Sequence, residues 1–197
     1  MVLKLVLVRH AESADNSGGR VAGSERDNGL SARGERQAKE LARRLARERI
    51  RVVYCSPLKR ALETAVFLGR KIVVVPELRE IDFGKLTGLS QEEIDARFPG
   101  RINKLFTSPN YRLPGGESTA ALRKRLQPFV SRLLREREGT VVVVAHNVVN
   151  RVIIACLLGL PLSKCRRVKQ KNCAITTFFV GERVELFGLD NSVHLVK

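Results

Sequence analysis

The chain has 197 residues, of which 44% are hydrophobic and 28% charged, and this composition is typical of one globular domain. No apolar run approaches the ~20 residues that a membrane-spanning helix needs, and the first residues lack the pattern of a secretory signal, so we expect a cytoplasmic protein without membrane contact. Lys and Arg outnumber Asp and Glu by 36 to 20, which suits nucleic-acid binding, attraction of anionic substrates, or simply solvated helix faces.

Apolar strand-like runs alternate with amphipathic helices along the chain, and no linker or internal repeat interrupts them. This order predicts an α/β fold in a single domain over residues 1–197. We expect a three-layer sandwich with a mostly parallel central sheet and helices on both faces. The predicted strands are Leu3–Val8, Val52–Cys55, Ile72–Val75, Val141–Ala145, Ile175–Val180 and Val184–Phe187.

Two of the predicted helices have identifiable starts. One begins after Ser31 as N-cap, and its apolar residues recur at the i, i+3, i+4 and i+7 positions of an amphipathic helix. The next is predicted to begin with Ser56 as N-cap and Pro57 in the first helical position, and to end at Gly69.

Two further helices and a loop-rich segment complete the predicted elements. One helix is predicted over about Ser118–Arg137, with a kink at Pro128 inside it. The other, Val148–Leu158, is apolar nearly all round and is expected to be buried. The segment 76–116 is rich in loops, with one short helix near Gln91–Phe98, and we expect it to cover an active site.

Two of the three histidines lie where predicted strands end. Arg9-His10 follows the first strand and His146 follows the fourth, and open α/β sheets bind ligands at the carboxyl ends of their strands. One such histidine more often has a structural role, but two of them, one beside an arginine, indicate an anion pocket. Arg60, in the first turn of the helix predicted after Ser56, adds a guanidinium where free N–H groups already favour an anion.

The four cysteines give no indication of a metal site. The sequence has no C-x-x-C pair, and no histidine lies at metal-ligand spacing from a cysteine, so no metal is expected. Cys55 and Cys156 lie in apolar stretches and are interpreted as small core residues, and the formation of a disulfide is left open.

Six segments in chain order resemble the histidine phosphatase superfamily, which includes the cofactor-dependent phosphoglycerate mutases. The resemblance runs from Leu5 to about Val180, and the chain is most similar to the short α-ribazole phosphatase and broad-specificity phosphatase branch. The matching segments are LVRHAES (7–13) with Asn16 shortly after it, LSARGERQA (30–38), SPLKRALETA (56–65), LREIDFG (78–84), PGGES (114–118) and VAH (144–146).

The resemblance implies a phosphomonoesterase that acts on small phosphorylated metabolites without a metal or organic cofactor. His10 would be the nucleophile that forms a phospho-histidine, and Glu80 would be the proton donor. The side chains expected to hold the phosphoryl group are Arg9, Arg60, His146 and Asn16. These roles agree with elementary chemistry, because imidazole is largely unprotonated near neutral pH and neighbouring arginines favour that neutral form further.

Other functions remain open at this point. A phosphoglycerate mutase is the first alternative, although the insertion after residue 85 and the C-terminal tail are short. A phosphoprotein phosphatase and a basic nucleic-acid-associated protein that kept the fold are the others, but nucleic acid is not an expected partner because Trp is absent and only two Tyr occur. We expect a monomer or homodimer. Two residues depart from the family pattern: Ala11 adds only a methyl group, and Asn147 places a side chain at the mouth of the pocket, which bears on substrate size and identity more than on chemistry.

Overall fold

A six-stranded mixed sheet forms the centre of the computed structural model, which describes residues 2–136 and 138–195. The strand order is β3-β2-β4-β1-β5-β6, with parallel pairing among the first four strands and antiparallel pairing of β5 with β1 and with β6. The mostly parallel sheet and all six predicted strands are therefore confirmed. Their bounds are β1 Leu3–Arg9, β2 Ile50–Cys55, β3 Ile72–Val74, β4 Gly139–Ala145, β5 Ile175–Val180 and β6 Val184–Asn191.

Helices cover both faces of the sheet, as the three-layer prediction requires. Alternate residues of β1 point to opposite faces, so Leu5 and Leu7 belong to one buried apolar cluster and Val6 and Val8 to another. Helices α2 and α3 supply the second cluster, and α4 to α7 supply the first. The helices are α1 Ala14–Ser17, α2 Ala32–Leu45, α3 Lys59–Val66, α4 Gln91–Arg97, α5 Arg101–Thr107, α6 Thr119–Arg135 and α7 Asn147–Leu157.

Two of the predicted helix starts are confirmed. The Ser31 hydroxyl accepts a hydrogen bond from the Gly34 N–H (3.0 Å), and the Ser118 hydroxyl accepts one from the Ala121 N–H (3.1 Å). Each hydroxyl satisfies one of the backbone donors that the first helical turn leaves without an intrahelical partner. The predicted end of α6 at Arg137 lies outside the described residues, and α7 is buried as expected.

The predicted start of α3 is wrong. The helix begins at Lys59, after Leu58, and ends at Val66 rather than at Gly69. The Ser56 hydroxyl accepts the N–H of Leu58 (3.3 Å), the residue before the helix, and lies 2.7 Å from Nε2 of His146. Ser56 therefore binds the backbone just ahead of α3 and does not occupy the N-cap position itself.

The segment 76–116 contains two α-helices where the sequence predicted one. The predicted helix is α4, and the second, α5, packs Leu105 and Phe106 into the apolar cluster below it. Gly100 precedes α5 with φ of 68° and provides no side-chain cap, so the usual capping signal was missing. Among residues 2–136 and 138–195, no helix combines the length and the apolar character that crossing a membrane requires.

Gly34 allows α2 to approach the loop that follows β1. A Cβ built at this position would lie 2.0 Å from the carbonyl oxygen of Glu12, which is backbone and cannot rotate away. The glycine in the segment LSARGERQA is therefore required by a close approach of helix and loop backbones.

We expect Gly34→Ala to destabilise the fold by about 2 kcal/mol, because the new methyl group must displace α2 or the Glu12 backbone. That loss corresponds to a fall in Tm of roughly 4–8 °C for a chain of this size, measurable by calorimetry. Alanine at an unhindered helix position would stabilise instead, so an unchanged or higher Tm would contradict the close approach. Gly188→Ala is the matched control, since nothing lies within 4 Å of a Cβ there.

Candidate active site

The sheet places His10 and His146 side by side. Strands β1 and β4 pair in parallel up to Arg9 and Ala145, and the backbone N–H of His10 donates to the Ala145 carbonyl (2.9 Å). Both histidines follow directly, so they lie at the same edge of the sheet. Their ring centroids are 5.0 Å apart, and both side chains are buried.

Hydrogen bonds fix which nitrogen of His10 is free. Its Nδ1 lies 2.7 Å from the Ala11 carbonyl oxygen, and since a carbonyl can only accept, Nδ1 carries the hydrogen. The lone pair is therefore on Nε2, which accepts a hydrogen bond from Nε of Arg60 at 3.3 Å.

Thr64 holds the residue that orients His10. The backbone N–H of Ala11 donates to the Thr64 hydroxyl (2.9 Å), which in turn donates to the carbonyl of Arg60 (2.7 Å). One buried hydroxyl thus connects α3 to the loop after β1. The resemblance named no role for Thr64, although it lies in the matching segment SPLKRALETA.

Arg60 extends from the first turn of α3 into the protein interior. It is only 2% exposed, and its two terminal nitrogens donate to the carbonyls of Arg26 (2.8 Å) and Gly23 (2.7 Å). Burial lowers the pKa of Arg60, and the nearby Glu80 partly offsets that effect. Backbone carbonyls hold the guanidinium in place without cancelling its charge.

Arg9 brings a second guanidinium to the same edge. Its Nη1 donates to the Gln170 carbonyl (2.8 Å), and its Nε has no hydrogen-bond partner among the described residues. Burial lowers the pKa of Arg9 to about 10, so the side chain remains charged at neutral pH.

The pKa values of both histidines lie well below the usual 6.5. Burial is the main cause in each case. The charges of Arg9 and Arg60 lower the pKa of His10 further, and His10 and Arg60 do the same to His146. Both imidazoles are therefore neutral at physiological pH, which leaves the Nε2 lone pair of His10 available.

The Ser56 hydroxyl that lies 2.7 Å from Nε2 of His146 orients that ring. The opposite nitrogen, Nδ1, is buried and has no hydrogen-bond partner among the described residues. A buried ring nitrogen without a partner is costly to maintain, and in the tautomer with the hydrogen on Nδ1 a bound anion would supply its acceptor.

Glu80 reaches the site from the loop after β3. Its carboxyl oxygens accept hydrogen bonds from the backbone N–H groups of Ile81 (2.9 Å), Val148 (3.2 Å) and Val149 (3.3 Å). The last two are at the N-terminus of α7, whose first residue follows His146. The start of α7 therefore fixes the position of Glu80 relative to the two histidines.

Asn16 completes the predicted set from the short helix α1. Its Oδ1 accepts from the Ser13 N–H (3.4 Å) and from Nδ2 of Asn172 (3.1 Å), and Asn172 also donates to the His10 carbonyl (3.0 Å). With its oxygen engaged in this way, the amide group of Asn16 keeps its N–H donors for a ligand.

A cavity of about 160 Å³ brings these side chains together, and we call it the catalytic cavity. Five of the six predicted site residues line it, while His146 lies behind His10 at 5.0 Å. Asn147, the departure from the family pattern, also lines it. Phe83, from the segment 76–116 that was predicted to cover the site, also lines it, and the remaining walls, residues 20–23 and Val148, were not predicted. No group of three or more His, Cys, Asp or Glu side chains suited to a metal occurs within 2–136 and 138–195.

Such a fold, with buried histidines and arginines around a small cavity at the carboxyl edge of the sheet, defines an enzyme of phosphate-ester chemistry. The sequence model of the histidine phosphatase superfamily (branch 1) matches residues 5–185. The chain belongs to this superfamily and is a phosphatase.

Relatives of known name agree with this assignment. The chain is 37% identical to phosphoserine phosphatase 1 of Hydrogenobacter thermophilus over 188 residues, covering 92% of this chain and 89% of that protein. A relative from an Enterobacter species that carries the name of a phosphoglycerate mutase is 32% identical over 181 residues, with coverage of 89% and 84%. The solved structure of a mycobacterial glucosyl-3-phosphoglycerate phosphatase superposes with a TM-score of 0.86 at 29% identity, covering 98% of this chain and all of the other.

We expect Thr64→Val to lower kcat about tenfold with little change in KM. Removing the hydroxyl leaves the buried Ala11 N–H without an acceptor, and the Ala11 carbonyl that orients His10 then shifts. Steady-state hydrolysis of nitrophenyl phosphate measures both constants. Thr64→Ser is the matched control, because it keeps the hydroxyl and is expected to keep kcat within about twofold. Equal losses in the two variants would show that packing of the methyl group matters instead.

Proposed function

We propose that the protein hydrolyses phosphomonoesters of small metabolites through a covalent phospho-histidine on His10. The observation that carries this proposal is the orientation of His10: the Ala11 carbonyl binds Nδ1, so the nucleophilic lone pair on Nε2 is directed toward Arg60 at the catalytic cavity. The lowered pKa keeps that lone pair free at neutral pH.

The phosphoryl group would bind among four side chains. Charge in its transition state is spread over three equatorial oxygens, and fixed cationic donors stabilise that charge. Arg9 and Arg60 supply two guanidinium groups, His146 has an unpartnered Nδ1, and Asn16 has free amide donors. Because Arg9 and Arg60 provide the positive charge and His146 and Asn16 add neutral polar groups, the proposal includes no metal and no organic cofactor.

Glu80 would handle the proton in both halves of the reaction. When Nε2 of His10 forms its bond to phosphorus, the ester P–O bond breaks, and Glu80 gives a proton to the departing oxygen. A water molecule then attacks the phospho-histidine and loses a proton to Glu80. The nitrogen–phosphorus bond breaks, phosphate leaves, and His10 and Glu80 return to their starting states.

Hydrolysis is favoured over mutase activity. A mutase must retain its released ester until the phosphoryl group returns to it, and the segment from Leu86 to Gly116 offers little additional cover. Relatives named for phosphoserine and glucosyl-3-phosphoglycerate as substrates support a small phosphomonoester. We propose a cytoplasmic location, which the four free thiols support because a reducing compartment would keep them in that state. The expectation of a monomer or homodimer stays a prediction.

Rapid quenching at alkaline pH during turnover of phosphorus-labelled substrate is expected to trap the label on His10, because phospho-histidine resists base and is lost in acid. The label should also form in the presence of a strong chelator. His10→Ala is expected to give no label and no turnover, while His194→Ala, which removes a histidine elsewhere, gives both. Acid-stable label, or activity in His10→Ala, would overturn the proposal.

Glu80→Gln is expected to slow alkyl phosphates by ~10²–10⁴-fold, because an alkoxide must be protonated as it leaves. Nitrophenyl phosphate needs far less help, so its burst of nitrophenol should survive and be followed by slow turnover if Glu80 also activates water. Stopped-flow absorbance reads both phases. Glu92→Gln, on the exposed side of α4, controls for the loss of a carboxylate. Equal slowing of both bursts would make Glu80 a positioning residue and Asp82 the next candidate acid.

A further inference from the structure

A second and larger cleft adjoins the catalytic cavity. It encloses about 970 Å³, and Arg9 and Asn147 line both spaces. One wall is the exposed face of α2, and the other is the loop before β5. We call it the basic cleft, after the six cationic residues on these two walls, which are Arg33, Arg36, Lys39, Arg43, Lys169 and Lys171.

Most of this positive charge is not neutralised. Glu12 pairs with Arg33 (3.3 Å) and Glu40 pairs with Arg43 (2.6 Å). The other four cationic residues form no ion pair with any residue that the structure describes. Several unpaired like charges facing one concave surface raise the local concentration of anions.

Both walls of the basic cleft are fixed relative to His10. Gly34 holds α2 against the backbone of Glu12, two residues beyond the nucleophile. On the opposite side, the carbonyl of Gln170 accepts from Arg9 (2.8 Å) and the side chain of Asn172 donates to the carbonyl of His10 (3.0 Å). The cationic residues are therefore carried by backbone that is anchored to the catalytic residues.

The two spaces differ in what they can hold. At about 160 Å³ the catalytic cavity suits a phosphoryl group and the atoms next to it, whereas about 970 Å³ can accommodate the body of a metabolite. Because Arg9 and Asn147 line both spaces, the two spaces share a wall, and a substrate that occupied both would cross it at these two residues.

We propose that the basic cleft binds a second anionic group, a phosphate or a carboxylate, on the body of the substrate. This inference rests on the proposed phosphatase function and narrows its substrate class to phosphomonoesters that carry a further negative charge. Since the cleft holds a part of the substrate that does not react, it contributes equally to the ground state and the transition state, and its effect appears mainly in KM.

The test compares alkyl phosphates that end in a methyl group, a carboxylate or a second phosphate, on chains of three and six carbons. The measured quantity is the ratio of kcat/KM between a doubly anionic substrate and the plain alkyl phosphate. The paired variant Lys39→Gln with Lys169→Gln removes one charge from each wall. Its control is Lys164→Gln with Arg167→Gln, which removes the same charge from an exposed basic turn outside the cleft.

The wild-type enzyme is expected to have a higher kcat/KM for a doubly anionic substrate than for the plain alkyl phosphate. In the cleft variant, the ratio of these two kcat/KM values should fall about five- to tenfold at low salt. The control variant should keep the ratio. Absence of a preference in the wild type, or equal losses in the two paired variants, would overturn the subsite and leave only a general effect of net charge.

The failure of the proposed chemistry would look different. Phosphonate analogues of the same compounds cannot be hydrolysed, and calorimetric titration of His10→Ala with them reads the same preference as a ratio of dissociation constants. A preference in binding with no phospho-histidine would retain the subsite and reject the mechanism. Formation of phospho-histidine without any preference in binding would retain the mechanism and reject the subsite.

Discussion

The parallel pairing of β1 with β4 is the constraint on which the site depends. It runs over seven residue pairs, from Leu3 with Gly139 to Arg9 with Ala145, and it brings both strands to an end at one level. Both faces of the two strands are apolar, and a shift of one residue would move each buried side chain to the opposite face, so the register depends on how each side chain fits the helices on its own face. The pairing of His10 with His146 is in this sense a product of core packing, because their 5.0 Å separation follows from where the strands stop.

Around that pair the protein holds buried positive charge mainly with backbone carbonyls, and carboxylates offset it only in part. Arg60 is bound by two backbone carbonyls, with the carboxylate of Asp27 3.9 Å from its Nη1, and Arg9 is bound by a third carbonyl. Carbonyl dipoles satisfy the N–H donors of a guanidinium and leave its net charge available to an anion. Burial and these same charges hold the pKa values of both imidazoles well below 6.5, so one arrangement places positive charge beside two unprotonated histidines.

The strands and the two histidines could be predicted because their signals are local: apolar runs of strand length, each followed by a polar residue. Glu80 had no such signal, and it was found through the resemblance to the family, since its partners at Val148 and Val149 are distant in sequence. The start of α3 was predicted wrongly for a related reason. Ser56 has the residue type of a helix cap, but its hydroxyl binds the Leu58 N–H ahead of the helix and contacts a histidine 90 positions away. Hydrogen bonds between distant segments decide such cases, and pattern alone does not contain them.

Within two turns, helix α2 has one position where only glycine fits and others where many side chains fit. At Gly34 the backbone of the helix meets the backbone of the nucleophile loop, and no larger side chain fits there. Arg36 and Lys39 project instead into open space, where any hydrophilic side chain is sterically acceptable. A lineage descended from such an enzyme could therefore exchange those outer residues one at a time while the inner contact stayed fixed. The reaction would stay the same while the preferred substrate changed. This is one physical route by which a single fold gives rise to enzymes with many different substrates.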